Sequence, residues 1–162
     1  MTGAAQASQN FIMIVGNVCR SPAVTIGEDA DLVEAARRMR ERHVGLLVVA
    51  RPRQDIGDEP IGVLTDRDLV VAVVAAEADA RVLRVADVMT ANPAVVGDWA
   101  SVEDTLRRMR ELGLRRMPVV EASGRLVGLV SIDDILDRVA GTLLDVAGAI
   151  RNEQRIERQA RS

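Results

Sequence analysis

Self-similarity limits what this chain can fold into more than any other feature. The stretch "DLVEAARRMRERHVGLLVV" from Asp31 matches "SVEDTLRRMRELGLRRMPVV" from Ser101. The pentapeptide "RRMRE" begins at Arg37 and again at Arg107, an offset of 70 residues. Farther on, Gly62 in "PIGVLTDRDLV" matches Gly128 in "LVGLVSIDDIL", an offset of 66. The lost residues fall in one place, "RPRQDIGDEP" in the first copy against "EASGR" in the second. Both segments are rich in turn-forming and charged residues, so both read as loops between strands. Such a chain is built from copies of one unit, stacked to bury what one copy leaves open.

Each copy predicts the same order of elements. A short extended piece follows a proline, at 24–26 and 94–96. An amphipathic helix comes next. Leu32, Ala35, Ala36 and Met39 fall on one face of the first, and Val102, Thr105, Leu106 and Met109 on one face of the second. Arginines and glutamates fill the solvated sides. Two apolar strands flank the loop, 44–50 with 61–64 and 114–120 with 126–130, and a second helix follows directly. The fold class is α/β of the α+β type, a β-α-β-β-α unit of about 60 residues given twice, neither copy able to bury its apolar faces alone. The expected divisions are a flexible segment at 1–12, small and polar, a first repeat at 13–79, a second at 80–140, and a C-terminal helical extension and tail at 141–162. Residues 76–85, "AEADARVLRV", join the copies. In the extension, Ile135, Leu136, Val139, Leu143, Leu144, Val146 and Ile150 prolong a helical stripe that Gly141 and Gly148 interrupt. The polar "RNEQRIERQARS" follows. Two readings of this stripe stand open: a helix docked on its own domain that then frays, or a helix packed against a second chain.

Composition narrows the function classes. Hydrophobic residues make up 48% and charged residues 28% of the 162, the balance of a soluble globular protein. No apolar run approaches the ~20 residues of a membrane span, and the N-terminus lacks the basic and apolar regions of a signal peptide. The expected place is the cytoplasm, with no membrane partner. A net charge of -3 argues against general nucleic-acid binding. Phe11 and Trp99, with no tyrosine, leave almost nothing for bases to stack on. Cys19 is the only cysteine and is expected to pack as a small hydrophobe. His43 is the only histidine, a packing or surface residue, and the two cannot build a zinc site by themselves. No nucleophile–base pair or metal cluster is visible, so the chain is not expected to be an enzyme or to require a cofactor.

The phrase that recurs carries the chemistry. Thr65-x-x-Asp68 and Ser131-x-x-Asp134 stand where a strand turns into a helix. A hydroxyl residue three places before an acid is a capping box, which satisfies the open backbone donors of a helix start. The same spacing at Ser101 and Asp104 carries no ligand implication. Position adds a second reading. Ligands of α/β folds bind beyond the carboxyl ends of strands, where a hydroxyl can reach a phosphate or sugar oxygen and a carboxylate can take the hydroxyls of a ribose.

The whole pattern resembles a tandem pair of CBS domains, a Bateman module, and in particular stand-alone bacterial CBS pairs. The residues that carry the resemblance are "VCRSPAVTIGEDADLVEAARRMRERHVGLLVV" with "IGVLTDRDLV", and "VADVMTANPAVVGDWASVEDTLRRMRELGLRRMPVV" with "LVGLVSIDDIL", over about 15–139. The resemblance implies two repeats packed through their sheets with pseudo-twofold symmetry. It implies two clefts between them for an adenosine-containing regulatory ligand, AMP, ADP, ATP or S-adenosylmethionine. Asp68 and Asp134 would hold ribose hydroxyls, with Thr65 and Ser131 near the phosphate. Leu64 and Val130, just before the motifs, and Val24, Gly45, Val95, Met117 and Pro118, around the earlier strands, would line the adenine. Arg115 and Arg116 would take the phosphates at the Asp68 cleft, an arginine being able to grip them bidentately. Gly45 and Leu46 stand at the matching places in the first copy, so unequal sites are expected. A homodimer is also implied, formed through the apolar faces of the two helices in each repeat, as is an unidentified protein partner. The alternatives are an interaction or stress protein with unoccupied clefts, and a nucleic-acid binder acting through the arginine-rich tail.

Overall fold

The structure is a computed structural model and describes residues 13–160. The expected flexible segment at 1–12 and the end of the arginine-rich tail lie outside the described residues. The elements in order are β1 (Thr25–Ile26), α1 (Leu32–Arg42), β2 (Leu46–Arg53), β3 (Gly57–Thr65) and α2 (Asp66–Leu69), which runs on as a π-helical turn (Val70–Val74). Then come α3 (Val85–Val88), β4 (Thr90–Ala91), β5 (Val96–Gly97), α4 (Val102–Leu112), β6 (Arg116–Val120), β7 (Leu126–Ser131) and α5 (Ile132–Ala160). The β-α-β-β-α order appears twice, as the repeat demands.

Local chemistry sets the frame of each copy. Asp31 caps α1 by accepting from the Glu34 N–H at 2.8 Å, and the Ser101 hydroxyl caps α4 by accepting from the Asp104 N–H at 3.0 Å. Both helices close on a left-handed residue, His43 at φ 52° and Gly113 at φ 67°. Each helix then covers its own small sheet. Leu32, Ala35 and Met39 of α1 pack with Leu47, Val49 and Leu64. Val102 and Met109 of α4 pack with Met117, Val119 and Val130. The buried stripe is narrower than the sequence pattern implies: Ala36 and Leu106 are exposed. They sit roughly 70° around the helix from the centre of that stripe, beyond the edge of a sheet this small.

The two sheets exchange segments. One has the order β1-β2-β3-β4 and the other β5-β6-β7. In each, a parallel pair adjoins an antiparallel hairpin, and the bulges at Val49/Ala50 and Val119/Val120 match. β4, which leads into the second repeat, pairs with β3 of the first. Reciprocally, Arg20, which leads into the first repeat, bridges to Leu129 in β7 of the second. Val15 is buried in the core of the second repeat. Neither copy is complete without residues of the other.

Three expectations change. "RPRQDIGDEP" is not a loop, because β2 and β3 run through it as a hairpin that pairs Arg51 with Glu59 and Arg53 with Gly57. Charge holds it extended: Arg51 bonds Glu28 at 2.7 Å, and Arg53 bonds Asp55 at 2.9 Å and Glu59 at 3.3 Å. The C-terminal stripe is not interrupted, since Gly141 and Gly148 sit inside one 29-residue helix, α5. Nor does that helix dock on its own domain. Ile135 is buried at 3% exposure, whereas Leu136, Val139, Leu143, Leu144, Val146 and Ile150 are all exposed. Finally, the apolar faces of α1 and α4 are spent on their own cores. Many of the apolar residues left uncovered lie on α5 and on the π-helical turn, at Val70, Val71 and Val74, with Leu106 and Leu112 at the margin of α4.

Candidate functional site

The repeated phrase forms a complete capping box in both copies. Thr65 ends β3, and its hydroxyl accepts from the Asp68 N–H at 3.2 Å. Asp68 Oδ2 accepts in return from the Thr65 N–H at 2.8 Å and the Thr65 hydroxyl at 2.7 Å. Ser131 and Asp134 repeat this at the end of β7: Asp134 Oδ2 accepts from the Ser131 N–H at 3.1 Å and from its hydroxyl. Capping thus engages one carboxylate oxygen in each copy. What differs is the other oxygen.

At the first motif, Asp68 Oδ1 makes no hydrogen bond among the described residues. It lies in a cleft of about 730 Å³ between the repeats. Thr65, Arg67 and Asp68 come to this cleft from the first repeat, and Arg115, Arg116 and Pro118 from the second. Neither Arg115 nor Arg116 has a carboxylate within 4.0 Å among the described residues. The cleft therefore sets an acceptor against two unneutralised cations, across a space of small-ligand size.

At the second motif, Asp134 Oδ1 is taken. Arg20 Nε donates to it at 2.5 Å, with Asp134 only 9% exposed. Burial pushes the Asp134 carboxyl up. Hydrogen bonds from Ser131 and Arg20, with the charge of Arg20, more than offset that and hold it below the usual carboxylate range. The remaining space is about 140 Å³, bounded by Arg20, His43, Gly45, Leu46, Arg116, Ser131 and Asp134. At Gly45 a Cβ would lie 2.9 Å from the carboxylate of the exposed Asp66, which would have to turn aside to admit it.

The structure thus gathers Thr65, Asp68, Arg115, Arg116 and Pro118 at one cleft, and Gly45, Ser131 and Asp134 at the other. Leu64, Met117 and Val130 line neither and are fully buried in the cores. Strand alternation decides this, turning Val63, Pro118 and Leu129 to the clefts and their neighbours inward. Val24 and Val95 are half-buried, line neither cleft, and offer their carbonyls to Val48 N–H and Arg108 respectively. Sequence reasoning missed Thr90, Asn92, Pro93 and Ala94 in the first cleft and Arg20 in the second. The shared Pro-Ala-Val of "RSPAV" and "TANPAV" was the available signal that both segments occupy equivalent places.

Other chemistry is sparse. Among the described residues no group of three or more His, Cys, Asp or Glu side chains could hold a metal ion, and no helix is long and apolar enough to cross a membrane. Burial, then the charges of Asp98 and Asp134, push the Cys19 thiol up, away from reactivity. His43 is exposed at the edge of the second cleft.

The profile of the CBS domain matches residues 15–75 and 85–141. Over 122 residues the chain is 34% identical to an uncharacterized protein of Methanopyrus kandleri, covering 75% of this chain and 60% of that one. Over 124 residues it is 34% identical to hypoxic response protein 1 of Mycobacterium tuberculosis, covering 76% and 79%. A CBS domain protein of Pyrobaculum aerophilum, solved in complex with AMP, superposes with a TM-score of 0.66 at 28% identity, over 75% of this chain and 89% of that one.

Proposed function

The chain belongs to the CBS-domain family, and on that footing we propose that it is a non-catalytic regulatory module whose first cleft binds an adenosine-containing ligand of the AMP, ADP, ATP or S-adenosylmethionine class. One observation carries the proposal: Asp68, with an uncommitted oxygen, faces the unpaired Arg115 and Arg116 across a cavity of about 730 Å³. A carboxylate suits ribose hydroxyls, and paired guanidinium groups suit phosphate. The AMP held by the Pyrobaculum relative supports this ligand class. Because Asp68 belongs to one repeat and the arginines to the other, a ligand that touches both stabilises the arrangement that brings them together.

That change has to reach another chain, and we take the partner to be a second copy. Support comes from α5, where Leu136, Val139, Leu143, Val146 and Ile150 recur at the alternating spacing of a two-helix seam and are all exposed. The same stripe favours the second reading, an interaction protein whose clefts stay empty. Thermal unfolding with AMP, ADP, ATP, S-adenosylmethionine, NAD and GTP separates the two. A ligand at 100 times its Kd adds about 2.7 kcal/mol. We expect one adenosine compound to raise Tm in the wild type and not in Asp68→Ala. No shift with any compound would overturn the sensor reading.

A further inference from the structure

The two clefts are built on one plan, yet one holds about 730 Å³ and the other about 140 Å³. Pairing register shows where they diverge. In the first, Val63 of β3 pairs with Thr90. In the second, Leu129 of β7, which is the counterpart of Val63, pairs with Arg20. Arg20 and Thr90 therefore occupy the same place in the pseudo-symmetric plan, each on the segment that one repeat lends to the other. A short hydroxyl side chain stands at the rim of the open cleft, and a long guanidinium at the rim of the closed one.

The backbone aims that guanidinium. Arg20 N–H donates to the Leu129 carbonyl at 2.9 Å, and Leu129 N–H donates to the Arg20 carbonyl at 3.0 Å. Ser21 Oγ adds a bond to the Val127 carbonyl at 2.7 Å. From this anchored segment Nε reaches Asp134 Oδ1. Oδ2 already accepts two bonds in the cap, so a ligand hydroxyl would have to compete with Arg20 for Oδ1. Asp133 and Asp137 add their negative charge around the guanidinium and favour its staying there.

We propose that Arg20 restricts this chain to one adenosine ligand per protomer, by filling in the second cleft the place that Thr90 leaves open in the first and by occupying the Asp134 oxygen that a ribose would use. The proposal rests on reading the clefts as adenosine-ligand sites, and it assigns Arg20 as the residue that sets their number. It also says what the opened cleft would accept. Gly45 stands there where Arg115 stands in the other cleft, so of that pair only Arg116, which borders both clefts, is left for a phosphate, and adenosine, which needs no cation, is the expected ligand.

Binding stoichiometry tests this, with AMP and adenosine titrated calorimetrically into the wild type, Arg20→Thr and the double variant Arg20→Thr/Asp134→Ala. The Arg20 side chain is 75% exposed, so its replacement leaves the cores untouched. Circular dichroism checks the fold, and Arg20→Gln stands in if the threonine variant does not fold. We expect Arg20→Thr to bind one more equivalent of adenosine than the wild type, and the double variant to lose that equivalent. Equal numbers in wild type and a folded Arg20 variant would overturn the proposal, as would two equivalents in the wild type. The two readings fail separately. Binding by Arg20→Thr alone would support the Arg20 assignment while refuting the first-cleft site. One equivalent in both proteins would do the reverse.

Discussion

Gly62 and Gly128 occupy matching places in β3 and β7, yet the same change to alanine is expected to cost very different amounts. At Gly128 a Cβ would lie 2.6 Å from the Arg20 carbonyl oxygen and 3.2 Å from Cys19 Sγ. The first of these is backbone, held by the two reciprocal bonds between Arg20 and Leu129. The methyl group can enter only if the Arg20 segment moves off β7. That weakens two hydrogen bonds worth about 1 kcal/mol each and adds an overpacking cost of about 1 kcal/mol or more. The reduced freedom of the unfolded chain returns about 0.4–1 kcal/mol. The net is about 2–3 kcal/mol of destabilisation. At Gly62 the nearest atoms are Sδ and Cγ of Met89, at 2.5 and 3.2 Å, with the backbone oxygen of Thr90 at 3.3 Å. A thioether side chain can rotate away, so the repacking cost and the entropy gain nearly cancel, leaving about 0–1 kcal/mol. With about 2–4 °C of Tm per kcal/mol at this chain length, Gly128→Ala should melt about 5–10 °C below the wild type and Gly62→Ala within about 3 °C of it. Reversible thermal unfolding followed by circular dichroism reads both. Equal losses, or the larger loss at Gly62, would refute the view that the Arg20 segment is fastened to β7.

Other expectations follow from single residues. His43 holds φ 52° where the second repeat uses Gly113. Relief of about 1–2 kcal/mol of left-handed strain, less about 0.5–1 kcal/mol for glycine's freedom, makes His43→Gly stabilising by about 0.5–1 kcal/mol in urea unfolding. Gly141 lies inside α5 with nothing within 4 Å of an added Cβ, so Gly141→Ala should raise amide protection along α5 roughly 2- to 5-fold, as about 0.5–1 kcal/mol of helix propensity requires. The Asp134 carboxyl is held below its usual range, so the stability it adds is full above the unfolded value of about 3.9 and is lost as pH falls through the folded value. The Tm difference between wild type and Arg20→Thr should therefore be present at pH 7 and shrink below about pH 4; a difference that grows in acid would contradict the ion pair.

Much of the architecture was legible because it rests on local signals that repeat. The caps at Asp31 and Ser101, the stripes through Leu32 and Val102, and the turn from strand to helix at Thr65 and Ser131 depend on neighbours three or four residues away. Ala36, Leu106 and the hairpin at 51–60 were misread for a common reason: their placement depends on how far a neighbouring element extends. The width of a sheet decides whether the residue beside a helical stripe is covered. Likewise, partners from a separate segment, such as Glu28 for Arg51, decide whether a charged segment stays extended. The resemblance places Leu64 and Val130 in the clefts as neighbours of the motifs and Met117 as part of an earlier strand, whereas the period-2 alternation of a strand sends every second residue to the core.

The clefts show the same limit at closer range. The absence of arginine at Gly45 and Leu46 could be read by aligning the two copies, and it already made the sites unequal. The occlusion by Arg20 could not be read that way, because its partner Asp134 lies 114 residues farther along the chain. The exchange of segments between sheets is what brings the two together. A repeat protein that lends each copy's leading segment to the other places the rim of every cleft on residues outside the motif that marks it. In this chain the motif sets where a ligand could bind, and the lent segment decides whether the space is open. Ser131 and Asp134 keep their capping role with the cleft closed. The phrase can therefore be retained in both copies for helix geometry alone, while on the proposal made above its use as a ligand site would be set separately, by the side chain at position 20 or 90.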